Sequence, residues 1–193
     1  MSGDYYKEWR ARAEIDYFPQ LVILWLSTNS WYRSHYSEFP SKRDRDYLNK
    51  LREDHTGRNK LFARFKRLLE PDSPKEHAEF IGIIEALHFA LNRGDLLWDE
   101  ENRGSKISFD NCLIPSNPKS YASLVVNKHA PGINIGETLK LTDDKSTLFN
   151  GLLEIIYQVR CQLVHGQLNP EAESHHHEVV KQCYFLLRAL MNF

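Results

Sequence analysis

The sequence predicts a mainly α-helical protein, a helical bundle with an irregular or short β-containing insertion at about residues 94–145. Three observations carry that prediction. Apolar residues recur at three- and four-residue spacing towards both ends of the chain, as amphipathic helices require. Prolines, glycines and small polar residues stand where those periodic stretches stop. Between Gly94 and Lys145 the period disappears, and Pro115, Pro118, Pro131, Gly104, Gly132 and Gly136 accumulate instead.

In chain order, a long helix is expected from Glu14 to about Glu38. Phe18, Leu21, Val22, Leu24, Trp25 and Trp31 form its broad apolar face, and Pro40 and Ser41 punctuate it. A second helical region runs from about Arg43 to Leu69, with Gly57 breaking it into two helices. Pro71 and Pro74 end that region and start a helix over about Lys75 to Asn92, with Phe80, Ile83, Ile84, Leu87 and Leu91 on one side. Asn92-Arg93-Gly94 stops it. Within the insertion, Lys106 to Ile114 and Tyr121 to Asn127 hold short alternating or β-branched runs. About fifty structureless residues would be unusual in a compact domain, so short strands or a hairpin are expected there. Helix resumes near Ser146 and runs to about Val164, with Gly166 as its left-handed cap. Asn169-Pro170-Glu171 then reads as N-cap, first-turn proline and dipole-favourable carboxylate. The last helix runs from Pro170 to near the C-terminus with Val179, Val180, Cys183, Leu186, Leu187 and Leu190 facing inward. No internal repeat is visible, and residues 1–193 are read as one domain.

The totals narrow the function classes. With 41% hydrophobic and 12% aromatic residues the chain is globular rather than disordered. A formal charge of -1 gives no chain-wide attraction to nucleic acid. Locally, Ser41 to Arg67 carries ten Lys or Arg against four Asp or Glu. That run reads as a solvated helical face, with contact to RNA phosphates as the alternative. Cys112, Cys161 and Cys183 show no paired spacing, so neither a disulfide framework nor a zinc site is expected. His175-His176-His177 suggests a metal, but successive helix positions point about 100° apart. A solvated face is therefore expected, and no metal or other cofactor is assigned. Near the start, Asp4, Lys7, Glu8 and Arg10 stand where a signal peptide would be apolar, and Leu21 to Leu26 is too short to span a bilayer. A cytoplasmic protein without membrane contact is expected.

The most informative stretch is Tyr157-Gln158-Val159-Arg160-Cys161-Gln162-Leu163-Val164-His165-Gly166. Leu152, Ile156, Arg160 and Val164 share one helical stripe, so Arg160 interrupts a face that should be buried. An unmatched buried guanidinium is costly, which leaves a structural ion pair, with Glu85 or Glu154 as partner, or a polar site. His165 lies five positions on and points about 140° away in an ideal helix. Arg and His together suffice for metal-free RNA cleavage: the ribose 2′-OH attacks the adjacent phosphate, Arg stabilises the developing charge, and His moves a proton. Spacing alone does not separate that reading from two structural side chains.

Val159-Arg160-Cys161-Gln162-Leu163-Val164-His165-Gly166 resembles the signature of HEPN domains, an Arg, four to six residues, then His. Ile155-Ile156-Tyr157 and Gly166 resemble its usual surroundings, and Leu24-Trp25-Leu26-Ser27-Thr28-Asn29-Ser30-Trp31-Tyr32 is similar to the first long helix of some members. The resemblance covers the two ends of the chain and little of the middle. It implies an antiparallel HEPN-like bundle that forms a homodimer in which the two motif helices meet. Active members are metal-independent endoribonucleases, often toxins or antiviral effectors, which implies RNA as substrate and an antitoxin or other regulatory protein as partner. The family's catalytic roles fall on Arg160 and His165. Many active members carry Asn or another polar residue where this chain has Cys161, a weak hydrogen-bonding group. That departure favours the alternative, a non-catalytic HEPN interaction or assembly module. Asn29, Tyr157, Cys161 and Gln162 are the candidate RNA-binding or supporting residues. Each has a plainer reading: solvent exposure for Asn29 and Gln162, packing for Tyr157 and Cys161.

Overall fold

The computed structural model describes residues 15–39, 43–70, 72–98, 105–114, 120–168 and 174–193. The protein is mainly helical, as the periodicity predicts. The helices of the described residues are α1 (Tyr17–His35), α2 (Asp44–Glu53), α3 (Lys60–Leu69), α4 (Pro74–Arg93), α5 (Lys145–Val164) and α6 (Ser174–Met191). Four three-residue strands, β1 (Cys112–Ile114), β2 (Ser120–Ala122), β3 (Ile133–Ile135) and β4 (Leu139–Leu141), lie between α4 and α5. They pair antiparallel as β1 with β2 and β3 with β4. The stretch with Asp4 to Arg10 and the Asn169-Pro170-Glu171 cap lie outside the described residues.

The helices converge on α6, which packs most extensively against α4 and α1 and also touches α3 and α5. Val179, Val180, Cys183, Leu186, Leu187 and Leu190 are all fully buried, so the terminal stripe is the centre of the core. On α1 the buried stripe is Phe18, Leu21, Trp25, Thr28 and Tyr32. It is narrower than the sequence suggests: Val22, Leu24 and Trp31 are only half-buried, while Tyr32 is completely enclosed. Gly57 sits in the break between α2 and α3, where buried Asn59 joins the two helices. Its Oδ1 accepts from the Phe62 amide at 3.0 Å, and its Nδ2 donates to the carbonyls of Leu51 and Asp54 at 2.7 and 2.8 Å.

Asp144 caps α5 by accepting from the amides of Ser146 and Thr147. At the other end Gly166 adopts φ +69°. Its amide donates to Leu163 O at 3.2 Å, and that of Gln167 to Gln162 O at 2.9 Å, the paired bonds of a Schellman cap. The insertion lies along α5. Gly151 makes this possible, because a Cβ there would come within 2.8 Å of Leu124 and 3.1 Å of Cys112 Sγ. No described helix is long and apolar enough to cross a membrane.

Candidate functional site

The stripe that begins at Leu152 leaves the core at the motif. Leu152 and Ile156 are fully buried, Arg160 is half-buried, and Val164 is 52% exposed. One turn inside that boundary lies Glu154, with no solvent exposure. Arg45 grips it in a two-pronged ion pair at 2.6 and 3.0 Å, Arg52 approaches at 2.6 Å, and Gln158 Nε2 donates at 3.0 Å. Burial favours the neutral acid, but the hydrogen bonds and charges of Arg45 and Arg52 hold the carboxyl below its ordinary value. Burial also lowers Arg52, to about 10.

Arg160 takes no part in that cluster. Glu154, offered by the sequence as its partner, is occupied by Arg45 and Arg52, and no ion pair of Arg160 exists among the described residues. Its Nε is buried without a hydrogen-bond partner among those residues, and its Nη1 reaches only Cys161 Sγ, at 3.8 Å. The guanidinium stands 5.8 Å from the Trp25 ring, within cation–π range. Trp25 packs at 5.6 Å on Tyr157, whose other neighbour is the Arg45 guanidinium at 4.1 Å. Burial and the nearby Cys161 push the Tyr157 hydroxyl up to about 12, so it is a neutral group at physiological pH.

Asp44, in the first turn of α2, organises the α1 side. Its Oδ2 accepts from Trp25 Nε1 at 3.2 Å, and its Oδ1 accepts from both Asn29 and Tyr32. Arg33 Nε in turn donates to Asn29 Oδ1 at 2.6 Å. Burial and the Asp44 bond raise the Tyr32 hydroxyl, which fixes it as a donor. The guanidinium groups of Arg33, Arg45, Arg52 and Arg160 thus share one region with the carboxylates of Asp44 and Glu154. The result is a cationic, aromatic-lined patch where α1, α2 and α5 meet, suited to an anion with planar rings.

The structure therefore gathers Arg160, Tyr157, Cys161 and Asn29 into one patch. Asn29 is not a solvent-facing side chain. Gln162 departs from expectation: it is 8% exposed and donates to Leu97 O at 2.5 Å, clamping the insertion to the motif helix. His165 is exposed; its amide donates to Cys161 O at 3.0 Å, and its imidazole forms no hydrogen bond with the described residues. It is the C-cap residue of an undistorted helix (φ -86°, ψ 4°), so the angular offset from Arg160 persists within one chain. The basic run is not simply a solvated face either, because Arg52 and Arg64 are buried against Glu154 and Glu76. Nor are the three histidines: His176 is 6% exposed, and His175 and His176 both approach Asp95. Trp25, Tyr32, Asp44 and Arg45 join the site from positions that the motif's own spacing does not mark. The one local signal is Asn29 among aromatic residues on α1.

The class of protein defined by this fold and site is a helical bundle bearing a guanidinium-rich, aromatic patch on its penultimate helix. Comparison with family models, curated proteins and solved structures returns no match to the chain.

Proposed function

We propose that the protein is a HEPN-type, metal-independent endoribonuclease of the toxin or defence-effector kind, acting as a cytoplasmic homodimer on single-stranded RNA. The observation that carries this reading is Arg160. Arg45, Arg52 and Arg64 are each matched to a carboxylate, whereas Arg160 has no ion pair among the described residues and stands beside Trp25 and Tyr157. Holding a half-buried guanidinium in that state costs stability unless an anionic ligand completes it. An RNA phosphate supplies the charge, and Trp25 or Tyr157 supplies a surface on which a base can stack.

In the reaction the 2′-oxygen bonds to phosphorus and the bond to the 5′-oxygen breaks, leaving a 2′,3′-cyclic phosphate. Arg160 stabilises the negative charge that builds on the non-bridging phosphoryl oxygens, and His165 moves the proton lost by the 2′-OH to the departing 5′-oxygen. Because His165 points away from Arg160 in its own chain, the pair operates across a two-fold axis. Val164 on α5, with Ile23 and Leu26 on α1, are exposed apolar residues on two of the three helices that carry the patch, as a subunit contact requires. An antitoxin or other regulatory protein would act by covering the same surface.

The test is cleavage of a mixed-sequence single-stranded RNA in EDTA by the wild type and by Arg160→Ala and His165→Ala, with folding checked by circular dichroism. Product ending in a cyclic phosphate, lost in both variants, is the expected result. Cleavage that survives both substitutions overturns the proposal. A folded dimer inert towards every RNA tried selects the second reading, a non-catalytic interaction module, which the contact of Arg160 with Cys161 rather than a stronger polar neighbour favours.

A further inference from the structure

Adjacent residues of a helix seldom share a target, yet His175 and His176 do. Both stand in the first turn of α6, and Asp95 follows Gly94, the C-cap of α4. Asp95 Oδ1 lies 3.4 Å from His175 Nε2 and 3.5 Å from His176 Nε2. One ligand atom from each of the three residues falls within 4.8 Å of the others. His177 turns elsewhere, edge-on to Tyr17 at 5.8 Å.

Those separations are long for charge-assisted hydrogen bonds, which run about 2.7–2.9 Å. They match a different figure. With zinc–ligand bonds of about 2.0–2.1 Å, neighbouring vertices of a tetrahedron stand about 3.3–3.4 Å apart. We propose that Asp95, His175 and His176 form a zinc-type metal site, two imidazoles and a carboxylate holding Zn²⁺ with one vertex left for water or an added ligand.

The surroundings fit this role. His175 occupies the space beside Gly94, where a Cβ would come within 3.2 Å of its ring, so the backbone is bare where the imidazole needs room. His176 is buried, which fixes its ring, while the Asp95 side chain is 80% exposed and open to an incoming ion. Imidazole with carboxylate suits zinc and its late first-row neighbours better than Mg²⁺ or Ca²⁺. The ion would join the end of α4 to the start of α6. This inference does not rest on the ribonuclease reading.

The experiment is a calorimetric titration of Zn²⁺ into the tag-free, chelator-treated chain, repeated with Ca²⁺. One equivalent of Zn²⁺ is expected to bind, with at least a tenfold loss of affinity in Asp95→Asn and in His175→Gln, and no loss in His177→Gln. Cobalt substitution should give the visible absorption of a tetrahedral site in the wild type and not in Asp95→Asn. Asp95 is exposed, so its substitution leaves the fold intact. Absence of saturable Zn²⁺ binding, or binding undiminished in both ligand variants, overturns the proposal and leaves an ordinary His–Asp contact. Because binding is read rather than cleavage, that failure says nothing about the ribonuclease reading.

Discussion

A carboxylate with no solvent around it must be matched from inside, and Glu154 is matched by Arg45, Arg52 and Gln158 together. Replacing it with Gln leaves the buried Arg52 charge without its counter-ion. The expected cost is about 3–5 kcal/mol, read from the denaturant midpoint. The same carboxyl sets an acid limit. Its folded value lies below the ordinary 4.5, so its contribution is complete above that pH and is lost as pH falls through the folded value. Stability measured from about pH 5 down to about pH 3 should therefore fall less steeply in Glu154→Gln than in the wild type. Arg160 presents the opposite case. With no ion pair to lose among the described residues, Arg160→Ala should shift stability by less than about 1 kcal/mol while reducing RNA cleavage at least about 100-fold. A large loss of stability in that variant would mark Arg160 as a structural residue instead.

At the scale of elements, α5 carries the patch, and its two ends are fixed by different means. Asp144 closes the start and the Gly166 turn closes the finish. Placing a Cβ at the φ of +69° should cost about 1–2 kcal/mol in Gly166→Ala, seen as a lower unfolding midpoint. Gly151→Val meets Leu124 and Cys112 instead. It should cost about 1–3 kcal/mol and raise hydrogen exchange in β1 before it does so in α6. The helices were legible from sequence because each spans several turns, enough for the apolar period to repeat; the stripe of α6 is the clearest case. The β3–β4 hairpin was not, since strands of three residues are too short to display alternation. Arg160 announced itself as a charge on an apolar stripe. Its neighbours did not, because Trp25, Asp44 and Arg45 arrive from helices more than a hundred positions earlier in the chain. Charge counting over residues 41–67 likewise could not reveal that Arg45 and Arg52 turn towards Glu154.

For the whole molecule, the decisive prediction concerns assembly. If Arg160 of one chain works with His165 of another, mixing inactive Arg160→Ala with inactive His165→Ala should restore cleavage, since each mixed dimer regains one complete pair. Light scattering should show a dimer under the assay conditions, and mixing without any recovery would place the two residues in one chain or outside catalysis. The insertion bears on this assembly through its attachment. It meets α5 at Gly151 near one end and, through Leu97 and Gln162, in the turn before His165 at the other. Two anchor points on one rod make a splint. Glu154, Tyr157 and Arg160 all lie between those anchors, so the insertion braces the length of α5 that holds the guanidinium patch.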